Sequence, residues 1–211
     1  MPLVGTGTEC SYCTVSGLGP TNWSYSLWFK SVSSTTQYPF TLGPSSAALS
    51  TDYCALVGGN SVWTGSYKNP AGNAAQADAS SFTGGWQHAC GFFRSTSHRS
   101  VFNHSNGTQK DNTTSVTTDS PDRFVIGENY YNGAFQSSGI IGSIAHLGVW
   151  ITELSTAEFT ALRKGFSPRR MRVMALFGYW PLIKNSNDAK GRAMTDRNSP
   201  SFTGDMPRIY W

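Results

Sequence analysis

Short runs of alternating apolar and polar residues recur along this chain, and residues that favour turns bound each run. The run WSYSLWFKS (residues 23–31) is the plainest example. Its large apolar side chains all fall on one face of a strand: Trp23, Tyr25, Leu27 and Phe29. Because side chains alternate across a strand, this period of two predicts a strand with one buried face. Many such strands joined by tight turns are typical of an all-β sandwich or barrel.

Further segments predict strands in the same way. They are residues 53–59, 61–67, 86–93, 99–107, 122–128, 140–151 and 174–183. The segment 140–151 is apolar on both faces, which predicts a central strand covered on both sides. Strict alternation places Ile144 and Trp150 on one face and four residues on the other: Ile141, Ala145, Leu147 and Val149. The polar stretches 69–85 and 185–205 are predicted to be loop and turn.

One stretch, ITELSTAEFTALRKG, carries the signals of a short helix instead. Ser155 can act as the N-cap by accepting a hydrogen bond from the Glu158 N–H, while the Glu158 carboxylate accepts one from the Ser155 N–H. Gly165 suits the position just after the helix. The sequence therefore predicts one capped helix over residues 155–164.

The chain has 211 residues, which is enough for one well-buried domain, and no linker or low-complexity tract divides it. We expect a single domain over residues 1–211, with residues 1–19 as an N-terminal arm or edge strand. Only 13% of the residues are charged, and small polar residues are abundant, as suits short strands and tight turns. The expected fold class is all-β, a two-sheet antiparallel sandwich with one short capped α-helix.

Positive charge is concentrated near the C-terminus. Residues 163–211 hold ten Lys or Arg against three Asp, whereas residues 1–162 hold six against nine Asp or Glu. The charge either ends the helix and continues into a solvated loop, or forms a docking patch for an acidic protein surface or a glycan. We expect residues 166–211 to complete the sandwich or to contact a partner. Nucleic acid is not expected, since no nucleic-acid-binding motif accompanies the charge.

The first residues, MPLVGTGTEC, have neither a basic segment nor a long apolar run. No signal peptide is therefore predicted, and synthesis is expected in a cytoplasm. No segment approaches the ~18 consecutive apolar residues of a membrane span, so no membrane partner is expected.

Four cysteines are present, of which Cys10 and Cys13 form a C-x-x-C pair and Cys54 and Cys90 stand apart. Free thiols are favoured, and one or two disulfides or a zinc site are the alternatives. Zinc is the weakest of these because a structural zinc site prefers a second close pair. Cys90 lies in a strand-like segment and is expected to act as a small buried hydrophobic residue.

Four segments together resemble a known family. SYSLWFKS, GGWQHACGFFRSTSHRSVFNHSNG, DRFVIGE and GIIGSIAHLGVWITELSTAEFTALRKG occur in the order and spacing of concanavalin A-like, laminin-G-like jelly-roll domains. The W-x-H strand and the L-S-x-x-E helix start are the most specific elements, and the resemblance covers about residues 20–165. It implies a jelly-roll sandwich whose single helix follows the central strand and has a structural role.

The segment after the helix, FSPRRMRVMALFGYWPLIKNSNDAKG, looks like the Y-W-P-L strand and D-x-x-G turn that many such domains carry at the N-terminus. Its late position resembles the laminin-G-like proteins of tailed bacteriophages. The resemblance implies a virion structural protein, either a capsid decoration or a fibre-like protein, made in the host cytoplasm and located in the virion. A free lectin-like carbohydrate-binding protein is the alternative, and a glycoside hydrolase is a remote one.

No catalytic pattern is found in the sequence. Related jelly-roll glucanases resemble one another in an E-x-D-x-E strand, which places nucleophile and acid about 5 Å apart, and this chain has no such run. The four His residues lack H-x-x-x-H spacing, and no nucleophile elbow, P-loop or dinucleotide motif occurs. We therefore do not expect an enzyme.

Sugar binding in such folds uses aromatic faces at loop ends together with amide groups. The candidate ligand-binding residues are Trp63, Tyr67, Tyr130, Tyr131 and Asn132. Alternatively, these aromatic residues cover the core or an intersubunit contact. Calcium is common in the family, and Asn187 and Asp188 could supply oxygen ligands, but turn chemistry also explains both residues. No other metal or cofactor is expected.

The charge distribution also predicts assembly, because oppositely charged regions favour contact between copies or with an acidic partner. We expect a homo-oligomer, with a trimer favoured, attached to other virion proteins such as the major capsid protein and able to touch a host surface glycan. Aromatic and Arg residues are enriched in interface centres. The predicted contact residues are Arg169, Arg170, Arg172, Tyr210 and Trp211.

Overall fold

Two antiparallel β-sheets face each other across the main apolar core, as the alternating runs predict. The structure is a computed structural model that describes residues 3–31, 35–45, 51–58, 61–68, 75–80, 85–102, 109–115, 120–131, 133–182, 187–202, 207 and 209. Within these ranges, only the backbone is described for residues 3–4, 51–58, 61–68 and 75–80.

The described strands are β1 (Leu3–Thr6), β2 (Cys10–Thr14), β3 (Trp23–Ser31), β4 (Gln37–Gly43), β5 (Thr51–Gly58), β6 (Ser61–Lys68), β7 (Ala75–Ser80), β8 (Gln87–Ser95), β9 (His98–Phe102), β10 (Gln109–Asn112), β11 (Arg123–Ile126), β12 (Tyr130–Tyr131), β13 (Ala134–Phe135), β14 (Ile141–Trp150), β15 (Leu176–Trp180), β16 (Thr195–Arg197) and β17 (Ser201–Phe202). The first sheet has the order β10-β9-β8-β3-β14-β1-β17, and β15 also pairs with β14. The second sheet has the order β16-β2-β11-β4-β5-β6-β7, and β12 and β13 form a separate hairpin. This arrangement confirms the predicted two-sheet jelly-roll sandwich.

The first and last described strands of the chain are paired within the sheets. Strand β1 lies between β14 and β17, and β2 lies between β11 and β16. The expectation that residues 1–19 form an arm or an edge strand is therefore wrong, because both strands have a hydrogen-bonded neighbour on either side. Within residues 166–211 the structure describes three strands. Strands β15 and β17 join the first sheet, and β16 joins the second.

Two segments predicted to be loop and turn contain strands. Strand β7 lies within residues 69–85 and pairs with β6 over six residues. Strands β16 and β17 lie within residues 185–205. Backbone hydrogen bonds hold these short strands, and intrinsic strand propensity is a weak guide where small or polar residues pair with a neighbouring strand.

The core between the sheets is rich in aromatic side chains. Strand β3 directs Trp23, Tyr25, Leu27 and Phe29 into it, each with no exposed surface, so the predicted alternation is confirmed. Across the core, Phe124 of the second sheet stacks on Trp180 of the first, with 4.4 Å between ring centroids. Burial of each large apolar side chain contributes roughly 1.5–3 kcal/mol, so this core is the main source of stability.

Strand β14 is central, as predicted, because it pairs with β1, β3 and β15 and is covered on both faces. The predicted assignment of its faces is wrong at Ile144, which shares the inter-sheet core with Leu147 while Trp150 lies in a second core. The register to β3 shifts around His146, whose φ is +52°. Such a β-bulge adds a residue to one strand and changes which side chains face the core beyond it.

An α-helix, α1 (Thr156–Arg163), follows β14 with the predicted caps. The Ser155 hydroxyl accepts from the Glu158 N–H at 3.3 Å, and the Glu158 carboxylate accepts from the Ser155 N–H at 2.7 Å. Gly165, with φ +91°, ends the helix in a Schellman arrangement, its N–H donating to Leu162 and that of Phe166 to Ala161. No helix in the described ranges is long and apolar enough to cross a membrane.

Helix α1 contributes to the second core with Phe159 and Leu162. The Phe159 ring lies 4.7 Å from that of Phe102, and the Trp150 indole N–H donates to the Met171 carbonyl at 2.8 Å. Two short 3-10 turns, η1 (Pro168–Arg170) and η2 (Val173–Ala175), lead from the helix to β15. The helix is thus held by packing against the sheet, in agreement with the structural role implied by the family resemblance.

The substitution Ser155→Ala removes one half of the capping box. We expect it to lower the free energy of unfolding by about 1 kcal/mol without changing the fold, as is typical of N-cap loss. Thr156→Ala, one residue further on in the exposed first turn, should change stability by less than about 0.5 kcal/mol. Denaturant unfolding of both variants measures the difference, and equal stability would contradict the capping role.

His146 predicts a pH dependence of stability. Its Nδ1 lies 2.8 Å from the Tyr179 hydroxyl, its Nε2 is buried without a hydrogen-bond partner among the described residues, and burial lowers its pKa to about 4. The unfolded chain therefore binds a proton near pH 6.5 that the folded protein does not bind until about pH 4. The contribution of neutral His146 to the free energy of unfolding should be fully present above pH 6.5. The free energy of unfolding should then fall by about 3 kcal/mol as the pH drops to 4.

His146→Asn tests this dependence because Asn tolerates a positive φ and does not titrate. Unfolding curves recorded across this pH window should have a flatter slope for the variant than for the wild type. Identical slopes would show that His146 is not the group responsible.

Candidate functional site

A cleft of about 300 Å³ opens where β1 ends. Small hydroxyl residues, glycines and one isoleucine line it: Thr6, Gly7, Thr8, Thr35, Thr36, Ser137, Ser138, Gly139 and Ile141. These residues come from three separate stretches of chain, namely the end of β1, the residues before β4 and the residues before β14. We refer to this site as the hydroxyl cleft.

Backbone pairing brings the three stretches together. Thr6 stands opposite Ile141 in the β1–β14 ladder, and the Gly139 N–H donates to the Gly7 carbonyl at 2.9 Å. A parallel bridge between Tyr38 and Gly139 ties in the stretch before β4. Because main-chain bonds connect all three stretches, the walls of the cleft are held by the sheets.

Gly139 is needed at the point where the stretches meet. A Cβ atom at this position would collide with the Gly127 carbonyl oxygen and would lie 3.0 Å from that of Gly7. Only glycine lets the backbones approach so closely.

A buried ion pair supports the cleft from below. Glu128 has no exposed surface, and one of its carboxylate oxygens lies 2.5 Å from Arg197 Nη1. The other oxygen accepts from the Ser137 N–H at 2.7 Å. Asn198, beside Arg197, donates to the Thr8 carbonyl at 2.9 Å. The pair therefore links β16 to two walls of the cleft.

Gln37 supports the third wall. Its side-chain oxygen accepts from the Ile141 N–H at 2.7 Å, and its amide nitrogen donates to the Ser31 hydroxyl at 2.9 Å and to the Thr35 carbonyl at 3.3 Å. The side chain is 1% exposed. These buried bonds fix where Thr35 and Ile141 stand relative to each other.

The chemistry of the cleft follows from its lining. Each of the six Ser and Thr hydroxyls can both donate and accept hydrogen bonds. The described lining contains no charged side chain, no Cys and no His. The nearest described carboxylate is that of Glu9, which accepts from the Thr6 hydroxyl at 2.7 Å and from the Thr6 and Thr8 N–H groups. The arrangement suits an uncharged ligand that carries several hydroxyl groups.

Two of the aromatic residues predicted to bind ligand have described side chains, Tyr130 and Tyr131. Tyr130 is 1% exposed, and its ring packs edge-on against Phe135 at 5.1 Å and under the Arg123 guanidinium at 5.0 Å. The prediction of Tyr130 as a sugar-stacking surface is therefore wrong, because its ring covers the outer face of the second sheet. Tyr131 is half-buried in the same hairpin, away from the cleft lining.

The other three predicted ligand residues have no described side chain. Trp63 and Tyr67 lie in β6, and their side chains fall outside the described residues, as does Asn132. The cleft hydroxyls were not predicted from the sequence. The local signal was the occurrence of Thr or Ser residues in short groups near strand ends, two of the three groups with a glycine, which turns also explain.

The two oxygen-bearing residues considered for calcium have protein partners. Asp188 is 4% exposed, and its carboxylate accepts from the Tyr179 N–H at 2.8 Å, the Lys190 N–H at 3.1 Å and Arg192 at 2.8 Å. The Asn187 side-chain oxygen accepts from the Met194 N–H at 3.1 Å. A calcium ion would have to displace these donors, so the arrangement agrees with turn chemistry. Among the described side chains, no three His, Cys, Asp or Glu residues come together as a metal site.

The described cysteines are free thiols buried in three different apolar clusters. Cys13 lies in the inter-sheet core, Cys10 under the β12–β13 hairpin and Cys90 in the helix-side core. Burial raises the pKa of Cys10 to about 12 and that of Cys13 to about 11. Cys10 and Cys13 point to opposite faces of β2, because side chains alternate along a strand and these two residues are three positions apart. Cys54 lies in β5, where side chains are not described.

The predicted contact residues have different surroundings. Arg169 and Arg170 are exposed, whereas Arg172 forms an ion pair with Glu158 at 2.5 Å, which holds the pKa of that carboxyl below its usual range. Tyr210 and Trp211 lie outside the described residues.

Every described carboxylate accepts a hydrogen bond from its own chain. The eight are Glu9, Asp111, Asp122, Glu128, Glu153, Glu158, Asp188 and Asp196. These bonds give each of them a partner within the chain.

A two-sheet jelly roll with a helix on one outer face and a polar cleft at the end of a strand defines the class of concanavalin A-like sandwich domains. The family profile described as the Concanavalin A-like lectin/glucanases superfamily matches residues 6–159, and the chain belongs to this family. No curated protein sequence matches the chain significantly.

Solved structures agree with this fold. A native heptameric SAP-like pentraxin from Limulus polyphemus is 14% identical, with a TM-score of 0.62 over 95% of this chain and 92% of that one. A putative carbohydrate binding protein from Bacteroides ovatus is 12% identical, with a TM-score of 0.60 over 95% and 62% of the two chains. The Ruminococcus gnavus IT-sialidase CBM40 bound to α2,3 sialyllactose is 13% identical, with a TM-score of 0.55 over 75% and 100%.

Glu128→Gln tests the ion pair beneath the cleft. Breaking a buried pair costs about 3–5 kcal/mol, and we expect about 2 kcal/mol here because the Arg197 side chain is 33% exposed. Glu153→Gln breaks the exposed pair with Arg94 and should cost less than about 1 kcal/mol. Urea unfolding compares the two variants, and similar losses would rule out a supporting role for Glu128.

Proposed function

We propose that this protein is a non-catalytic carbohydrate-binding protein that holds an uncharged glycan in the hydroxyl cleft. The observation that carries the proposal is the lining of that cleft, six Ser and Thr hydroxyls held by main-chain bonds with no charged side chain among them. Sugar hydroxyls both donate and accept, so they match a wall whose groups do the same.

Structural relatives support a glycan as the ligand class. One is named as a putative carbohydrate binding protein, and another is described in complex with a sialylated sugar. Sialic acid carries a carboxylate, for which an Arg or Lys partner would be expected. Arg197, the cation next to the hydroxyl cleft, is already paired with Glu128. The cleft is therefore better suited to a neutral glycan than to a sialylated one.

Binding without hydrolysis is the better-supported role, although the family description includes glucanases. Glycoside hydrolysis requires two carboxyl groups that flank the scissile bond. The described carboxylates are held by structural partners, and none lines the cleft. A glycoside hydrolase remains the remote alternative.

A virion structural role is the second candidate function. The Y-W-P-L sequence spans the end of β15 and the two residues after it, late in the chain, in the order that resembles proteins of tailed phages. A small cleft without aromatic stacking gives weak binding, and display of many linked copies can raise avidity by about 10²–10⁴. A decoration or fibre-like homo-oligomer on a virion would supply such copies. A free lectin-like protein would have to reach the same avidity by its own oligomerisation.

The hydroxyl cleft predicts a specific loss of glycan binding. We expect the protein to bind neutral rather than sialylated glycans on an array, and Thr8→Val and Thr36→Val each to weaken the strongest neutral interaction about tenfold. Each change exchanges a hydroxyl for a methyl group and leaves a ligand group without a partner. Titration calorimetry with the selected neutral glycan measures the loss.

Thr14→Val is the matched control, because it makes the same exchange on an exposed residue outside the lining. It should bind like the wild type. Preferential binding of sialylated glycans, or equal affinity of all three variants, would refute the assignment of this site.

A further inference from the structure

An apolar surface lies around the end of β14 and the turns that follow helix α1. The large hydrophobic side chains exposed among the described residues all belong to this part of the chain: Ile151, Phe166, Val173 and Met174. Met174 is 96% exposed and Val173 58%. Ile151 lies beside them because its N–H donates to the Ala175 carbonyl at 2.8 Å. Exposed apolar side chains gathered in one place are typical of an interaction site.

The turn that presents Val173 and Met174 is held in place at a cost in backbone strain. Arg172, which begins this turn, has a φ of +40°, which is unfavourable for a residue with a side chain. Its guanidinium makes two hydrogen bonds to Glu158, at 2.5 and 3.1 Å, and its carbonyl accepts from the Ala175 N–H at 2.8 Å. The helix N-terminus thus fixes the turn, and a fixed turn loses little conformational entropy on binding.

The charge around these residues indicates the partner. Arg169 and Arg170 are exposed between Phe166 and Val173, and neither forms an ion pair with a described residue. A complementary surface would be acidic. No described carboxylate of this chain pairs with these two arginines, and the whole chain carries a net charge of +4, so a second copy would on balance be repelled. The complementarity therefore favours a different protein.

We propose that Ile151, Phe166, Val173 and Met174, together with Arg169 and Arg170, form a docking face for another protein that presents an apolar pocket rimmed by Asp and Glu. Met174 enters the pocket, and the two arginines pair with its rim. This function goes beyond glycan recognition and does not depend on the hydroxyl cleft. It offers the virion candidate a surface for attachment to a shell protein.

The test begins with selection of short displayed peptides on the immobilised full chain. The expected peptides combine apolar residues with Asp or Glu, and fluorescence anisotropy then measures the affinity of a synthetic copy. Met174→Ser should weaken binding about tenfold, the loss expected of one interface anchor. The double variant Arg169→Gln, Arg170→Gln should also weaken binding and reduce its dependence on salt. Both variants should melt like the wild type, because the altered side chains are exposed.

Lys110→Gln is the matched control, since Lys110 is exposed on strand β10 away from this face. It should keep full affinity. Met174→Ser should also bind the selected glycan normally, and Thr36→Val should bind the peptide normally, so that failure of either proposal is seen separately.

Three results would overturn the docking proposal. The first is selection of peptides without acidic residues, or binding that Met174→Ser leaves unchanged. The second is self-association in sedimentation velocity that Met174→Ser abolishes, which would assign the face to a second copy. The third is co-sedimentation with phosphatidylserine-containing vesicles that the same variant loses, which would assign it to a lipid surface.

Discussion

Burial of strand β14 on both faces is the constraint on which the rest of this structure depends. On one face its side chains join the aromatic core between the sheets, and on the other Trp150 joins Phe159 and Leu162 of helix α1. A strand that is apolar on both sides needs a cover on both sides. The helix and the turns after it supply the second cover, and Ser24 of β3 bonds to Thr152 and Leu154 at the helix start. The chain after β14 is therefore a structural part of the sandwich, and its late position does not make it an appendage.

Polar groups that are buried beneath the surface determine the shape of the cleft. The Glu128–Arg197 pair connects residues that are 69 positions apart, and Gln37 reaches 104 positions to the Ile141 N–H. Buried polar groups of this kind are stable only when their partners are in place, so they favour one arrangement of the loops over others. The hydroxyls of the cleft are thereby attached to segments that buried hydrogen bonds fix. A preorganised polar wall suits a ligand whose own hydroxyl groups are fixed on a ring.

The two proposed surfaces use different chemistry and lie on different parts of the sandwich. The hydroxyl cleft is uncharged and polar, and it is held by β1, β14 and the Glu128–Arg197 pair. The docking face is apolar and basic, and it is held by helix α1 through the Glu158–Arg172 pair. Because the cleft lies at the start of β14 and the docking face follows its end, ten residues along the strand, a partner on the docking face would leave the cleft open to a glycan.

Local patterns in the sequence predicted the alternating face of β3, the double burial of β14 and the caps of α1, because these features depend on residues within a few positions of each other. The sequence could not predict that the bulge at His146 turns Ile144 toward the inter-sheet core, since a bulge is defined by the register of a neighbouring strand. It also could not show that Tyr130 is buried or that Thr6, Thr36 and Ser138 share a cleft. Those facts arise from hydrogen bonds and contacts between distant segments. Only the tertiary structure decided them, because the pairing of the strands, and not the order of the residues, sets which side chains meet.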